Sequence, residues 1–158
     1  MIRPATPADL PQLCKMVHAL AEFHGDTATA TVANLQRDLF GAAPWLHALV
    51  FEDRRQLHGY AALTQLARVQ YGQRGMDLHH LYVCTDARGG GIGKALLAAS
   101  FDYARSKTAS YVTVSTLMGN DFAQAFYLAQ GFQPAPVAGL RYVFDLAGKV
   151  NRSLPEGS

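Results

Sequence analysis

The sequence predicts a mixed α/β domain built on one sheet. Three observations predict it: helical periodicity near the start, β-rich segments through the middle, and strand–helix alternation after them. At 158 residues the chain has the size of one domain, and with 49% hydrophobic residues it carries enough apolar material for a full core. Low hydrophobicity with high net charge, the signature of an unfolded chain, is missing. A net charge of +2 is too small to argue for nucleic acid or an anionic membrane surface as partner.

Met1–Pro4 reads as a short strand. Thr6 then stands as N-cap with Pro7 at the first helical position and Asp9 in the capping-box place. Leu10, Leu13, Cys14, Val17, Leu20 and Ala21 follow at three-and-four spacing, so a helix with one buried face is expected to run to Phe23. A shorter helix is predicted over Val32–Phe40, with Val32, Leu35 and Leu39 on one side. Leu46–Glu52 and Leu57–Val69 flank the polar turn Asp53-Arg54-Arg55-Gln56 and read as a hairpin. Tyr71–Gly75 reads as a second turn and Met76–Cys84 as a third strand.

The loop Thr85–Arg88 leads through glycines into a helix expected over Ile92–Ser106. Tyr111–Thr116 is β-branched and strand-like. Asn120–Gln130 reads as a helix that Gly131 ends, and Arg141–Leu146 as a closing strand. Residues 1–148 are expected to form a single domain, with a polar tail over 149–158.

Cys14 and Cys84 are the only cysteines and form no CxxC pair, so a reducing, cytoplasmic setting is expected. The opening residues lack the apolar stretch of a signal peptide, and no apolar run reaches the roughly 18 residues of a membrane span.

The glycines carry the first chemical signal. Gly89, Gly90, Gly91 and Gly93 sit where a strand gives way to a helix, within Arg88-Gly89-Gly90-Gly91-Ile92-Gly93-Lys94. Unpaired amides at a helix N-terminus favour an anion, and a glycine-rich approach lets a phosphate come close. The plainer alternative is a flexible turn with a helix cap. A Walker A loop does not fit, because Arg88 stands where its first glycine belongs and Ala95, not Ser or Thr, follows Lys94. The dinucleotide pattern fails too, since its third glycine would fall on Lys94 or Leu96.

What remains is Arg-x-x-Gly-x-Gly, carried by Arg88, Gly91 and Gly93. A second signature follows in Asn120-x-x-Ala123-x-x-Phe126-Tyr127, then Gly131-Phe132. With these two signatures in this order, the chain to Leu146 resembles the GCN5-related N-acetyltransferase (GNAT) superfamily. Its opening Ile-Arg-Pro-Ala-Thr, Leu20–Phe23 and the Arg88–Gly93 loop are most similar to the diamine, spermidine/spermine-like, members.

The resemblance implies a mixed, mostly antiparallel sheet flanked by helices and splayed at an acetyl-CoA site. It implies that Leu81, Tyr82 and Val83 run along the pantetheine arm and that Arg88, Gly89, Gly90, Gly91, Ile92, Gly93 and Lys94 hold the pyrophosphate. Asn120 and Ala123 are implied as further cofactor contacts, and a helix cap is the plainer role for Asn120. It also implies a homodimer and a direct attack of an amine on the thioester, with no metal.

Tyr127 is then the expected proton donor to the departing thiolate, a phenol being protonated at neutral pH. A core aromatic beside Phe122 and Phe126 is the alternative. Where many relatives carry a glutamate on the central strand, this chain has His79, suited by its ordinary pKa to act as base. His79 and His80 are expected on opposite sheet faces unless a bulge intervenes. Cys84 lies close in sequence to both, but reads better as a small apolar filler than as a nucleophile.

The diamine enzymes have acids at the positions of His24, His79 and His80, so the acceptor expected here is a small amine, a polyamine or an amino-acid-like molecule. Arg68, Arg74 and the histidines are candidates to recognise a carboxylate. Acetylation of a peptide and a non-catalytic acyl-CoA-binding module are the alternatives.

Overall fold

The computed structural model describes residues 1–148, and the tail expected over 149–158 lies outside them. The described residues form two compact units, Met1–Met118 and the segment from Gly119 onward. In the first, a five-stranded sheet has the order β1 (Ile2–Pro4), β2 (His47–Asp53), β3 (Gln56–Arg68), β4 (Gln73–Val83) and β5 (Tyr111–Val114). The first four strands pair antiparallel, and β5 pairs parallel with β4. The predicted mixed sheet is present.

Two helices, α1 (Leu10–Phe23) and α2 (Val32–Phe40), cover one face. Leu10, Leu13, Met16 and Leu20 of α1 and Leu35 and Leu39 of α2 form one core with Ala48, Val50, Tyr60, Ala62 and Tyr82. Along β2 and β3 the intervening residues Leu49, Ala61 and Leu63 are also buried, so the sheet is covered on both faces. Helix α3 (Ile92–Ser106) covers the second face with Leu96, Leu97 and Ala104. A Cβ on Gly59 would stand 3.2 Å from Leu96 and 2.7 Å from the Tyr82 carbonyl, so that strand position needs its bare backbone.

The entry to α1 is tied to the sheet by charge. Asp9 accepts from the Thr6 amide at 2.7 Å, as the capping-box reading requires, and closes a single 3-10 turn, Pro7–Asp9. Arg3 of β1 also donates to both Asp9 oxygens, at 2.7 and 2.9 Å, and to Glu52 of β2 at 2.6 Å.

Among the remaining elements two strand ends lie more than one residue from the sequence reading, and one predicted strand does not form. β4 begins at Gln73 instead of Met76, because Val69–Tyr71 already turns the chain and Gly72 takes the left-handed conformation at φ 59°. β5 ends at Val114 instead of Thr116. The closing strand predicted over Arg141–Leu146 has no ladder, and the segment is irregular with Tyr142 and Phe144 both more than 80% exposed. Its β-rich composition expresses a preference, but a strand exists only where a partner supplies the ladder.

In the second unit α4 (Asp121–Ala129) is capped by Asn120, whose Oδ1 accepts from the Ala123 amide at 3.2 Å. Gly131 follows in the left-handed region at φ 95°.

Candidate active site

The site in the first unit is built around a defect in β4. Ala62 pairs with His80, but the next residue, Leu63, pairs with Leu78, so His79 is an extra residue bulged out of the ladder. The bulge brings His79 and His80 together: their rings stack with centroids 4.6 Å apart and planes 12° from parallel. The exception to opposite faces, an intervening bulge, is the case here, because one inserted residue cancels the strict alternation of a strand.

Beyond the bulge β4 loses a neighbour. Its parallel ladder with β5 ends at Leu78 and Val114, while its antiparallel ladder with β3 continues to Val83. From His79 to Val83 one edge of β4 thus has no strand partner among the described residues, and this open edge includes Leu81, Tyr82 and Val83. An extended, amide-containing chain can add to such an edge by backbone hydrogen bonds.

The open edge runs into the glycine loop. Gly89 and Gly91 adopt φ of 83° and 82°, and Gly91 is the N-cap of α3. Apart from the adjoining residues, no atom among the described residues stands within 4 Å of where a Cβ would be at either, so the glycines leave space above the helix end. The amides of Ile92, Gly93 and Lys94 have no hydrogen-bond partner among the described residues. Free amides, a helix dipole and bare backbone form an anion cradle that fits a pyrophosphate. Arg88 is anchored beside it. Its Nε donates to the Val83 carbonyl at 3.0 Å, and the guanidinium lies over the rings of Phe23 and Tyr82 at 5.0 and 5.8 Å.

His79 is exposed over 57% of its side chain, and its Nδ1 lies 3.8 Å from Asp77 Oδ2. The other Asp77 oxygen accepts from the Thr113 hydroxyl of β5 at 2.7 Å, which fixes the carboxylate. The arrangement places an accessible imidazole beside an oriented carboxylate, which can stabilise the ring once protonated. His80 is more enclosed. Burial first, then His79 and His24, push its pKa down to about 4, and the Tyr60 hydroxyl lies 2.9 Å from its Nδ1. Burial in turn holds the Tyr60 phenol protonated far above neutral pH.

Other expectations resolve by geometry. Cys84 packs against the core and burial raises its thiol, which suits a filler and disfavours a thiolate. Arg68 lies 3.8 Å above the Tyr111 ring, and Arg74 donates to Thr108 at 3.2 Å. Both are thus engaged beside β5. In the second unit Tyr127 packs edge-on against Phe126 and Phe132, at 5.3 and 5.4 Å, and burial raises its phenol to about 12. Asn120 and Ala123 make the cap of α4 with each other.

Asp77, Thr113 and Tyr60 were not singled out from the sequence. Asp77 had a signal, its place two positions before His79, but Thr113 and Tyr60 are remote and only sheet pairing delivers them.

The Acetyltransferase (GNAT) family pattern matches residues 15–132. The chain is similar to a thialysine N-epsilon-acetyltransferase of Bos taurus, 27% identical over 164 aligned positions that cover 98% of this chain and 96% of that protein. Among solved structures, a probable acetyltransferase superposes with a TM-score of 0.79 at 22% identity, covering 92% of this chain and 98% of that one. An aminoglycoside acetyltransferase from an uncultured soil metagenomic sample superposes at 0.76 with 19% identity, covering 92% and 96%. At these identities the superpositions speak for the fold. Among the described residues no helix is long and apolar enough to cross a membrane.

Proposed function

The chain belongs to the Acetyltransferase (GNAT) family and is an acetyl-transferring enzyme, and we propose that it acetylates the primary amine of a small molecule with acetyl-CoA as donor. One observation carries the reading: the open edge of β4 begins at an accessible histidine and ends at an anion cradle. The cosubstrate has the same order of parts, a reactive thioester, an amide-bearing arm and a pyrophosphate.

In this reading Leu81, Tyr82 and Val83 offer backbone to the arm. Arg88 and the segment Gly89–Lys94 hold the pyrophosphate, with Asn120 and Ala123 as further contacts. His79 takes the proton from the acceptor's ammonium, and Asp77, held by Thr113, steadies the imidazolium that results. The freed amine attacks the acetyl carbon, the new C–N bond forms and the C–S bond breaks. Tyr127 supplies the proton to the sulfur, and its raised pKa keeps that proton available at neutral pH. The histidines at 24, 79 and 80 favour a small amine or amino-acid-like acceptor over a long polyamine. The amino-acid substrate in the name of the Bos taurus relative supports the same choice. Residues 1–148 are read as one such domain, working in the cytoplasm as a homodimer, which light scattering on the purified protein checks.

The test is release of free coenzyme A from acetyl-CoA across a panel of amino acids, diamines, polyamines, aminoglycosides and peptides. Turnover confined to small amines supports the reading. Turnover confined to peptides overturns the acceptor class, and acetyl-CoA binding without any turnover overturns the enzyme assignment.

A further inference from the structure

Tyr60 and His80 are titratable groups beside the bulge that the transfer steps leave unused. Tyr60 is 1% exposed, and His80 Nδ1 is the hydrogen-bond partner of its hydroxyl among the described residues. A phenol carries one hydrogen. Were Nδ1 protonated, the hydroxyl could only accept, and its own hydrogen would be buried without an acceptor. The pairing that satisfies both groups has the Tyr60 hydroxyl donating to a bare Nδ1, and a neutral ring then carries its hydrogen on Nε2. That Nε2 has no partner among the described residues and, unlike Nε2 of His47, is not sealed from solvent.

The surroundings keep the ring neutral. His79 stacks on it, His24 at the end of α1 repels a positive charge, and the Tyr60 and Tyr82 phenols are held protonated by burial. Asp77 pairs with His79, and no carboxylate among the described residues pairs with His80. His80 therefore lies directly beside the candidate base, with a hydrogen to give and no lone pair to offer.

Resting on the transferase reading, we propose that His80 is a specificity-determining donor in the acceptor site, its Nε2–H directed by Tyr60 to an oxygen of the acceptor, so that the enzyme selects ω-amino carboxylates over diamines. A second ammonium needs an acceptor, and this ring has none free, whereas a carboxylate finds a donor. Tyr60 is a positioning residue that acts by fixing the tautomer.

L-lysine and cadaverine differ by one carboxylate and make the comparison. With the full chain, the expected kcat/KM favours lysine by roughly tenfold or more, the worth of one hydrogen bond to a charged group. His80→Gln, which keeps an N–H, should retain the preference. His80→Ala should remove it, and His80→Asp should reverse it. Nitrogen NMR of the imidazoles should show His80 as the Nε2–H tautomer at neutral pH, with Tyr60→Phe mixing the tautomers, and lysine but not cadaverine should shift that signal. An Nδ1–H tautomer, equal shifts with both ligands, or a preference unchanged in His80→Asp would overturn the proposal. Absence of turnover with every amine overturns the transferase reading alone, because the NMR titration still decides the role of His80.

Discussion

Replacing Asp9 by Asn should loosen the joint between β1 and α1 by an amount that depends on pH. Asp9 is 5% exposed, accepts from the Thr6 amide and receives two hydrogen bonds from Arg3. Those bonds, against a smaller opposing effect of burial, lower its carboxyl from 3.8 to about 2. A difference of that size corresponds to about 2.5 kcal/mol of stability. Arg3 is one-quarter exposed on its side chain and keeps Glu52 as a partner, so solvent trims the loss to about 1.5–2 kcal/mol. The sign follows from the lowered pKa. The contribution is complete above pH 4 and disappears as pH falls through about 2. Urea unfolding of wild type and Asp9→Asn at several pH values measures this directly. The gap should stand near its full value at pH 7 and close between pH 4 and 2. A gap below about 0.5 kcal/mol at pH 7, or one unchanged at pH 2.5, would refute the argument.

Four further outcomes are expected. Gly91→Ala places a side chain at φ 82°, which should cost about 1–2 kcal/mol and weaken acetyl-CoA binding in calorimetry. Gly75→Ala drives a Cβ to 2.3 Å from the Tyr111 ring, so it should destabilise by about 1–3 kcal/mol, and Tyr111→Ala in the same chain should recover part of that. Tyr127→Phe should lower kcat roughly 10²–10⁴-fold, and because the phenol titrates near 12, no basic limb from Tyr127 should appear in the wild-type pH profile below about pH 10. His47 stacks on Tyr103 with its buried Nε2 unpartnered among the described residues, and burial lowers its pKa. Its share of stability is present above pH 6.5 and lost as pH falls below it. His47→Phe should flatten thermal stability between pH 7 and 5.

The helices were legible because their signals are local. Three-and-four spacing placed α1 and α2, Thr6 and Asp9 marked the entry to α1, and Gly131 marked the exit from α4. The strands were legible as segments but less so at their ends. Whether Ser115 and Thr116 continue β5, or Arg141–Leu146 forms a strand at all, depends on a ladder partner that no local window contains.

The sequence by itself determined the fold class, the family and the place of the glycine loop at the start of α3, because each is written in consecutive or regularly spaced residues. It also supplied the candidate acid and base, Tyr127 and His79, through a resemblance that tests of activity must now meet. Only the tertiary structure decided how the histidines stand. A bulge is a mismatch in length between two paired strands, so it exists in neither strand alone. That single inserted residue turned His79 and His80 onto one side, left Asp77 beside the first and Tyr60 beneath the second, and thereby gave two adjacent imidazoles different chemistry.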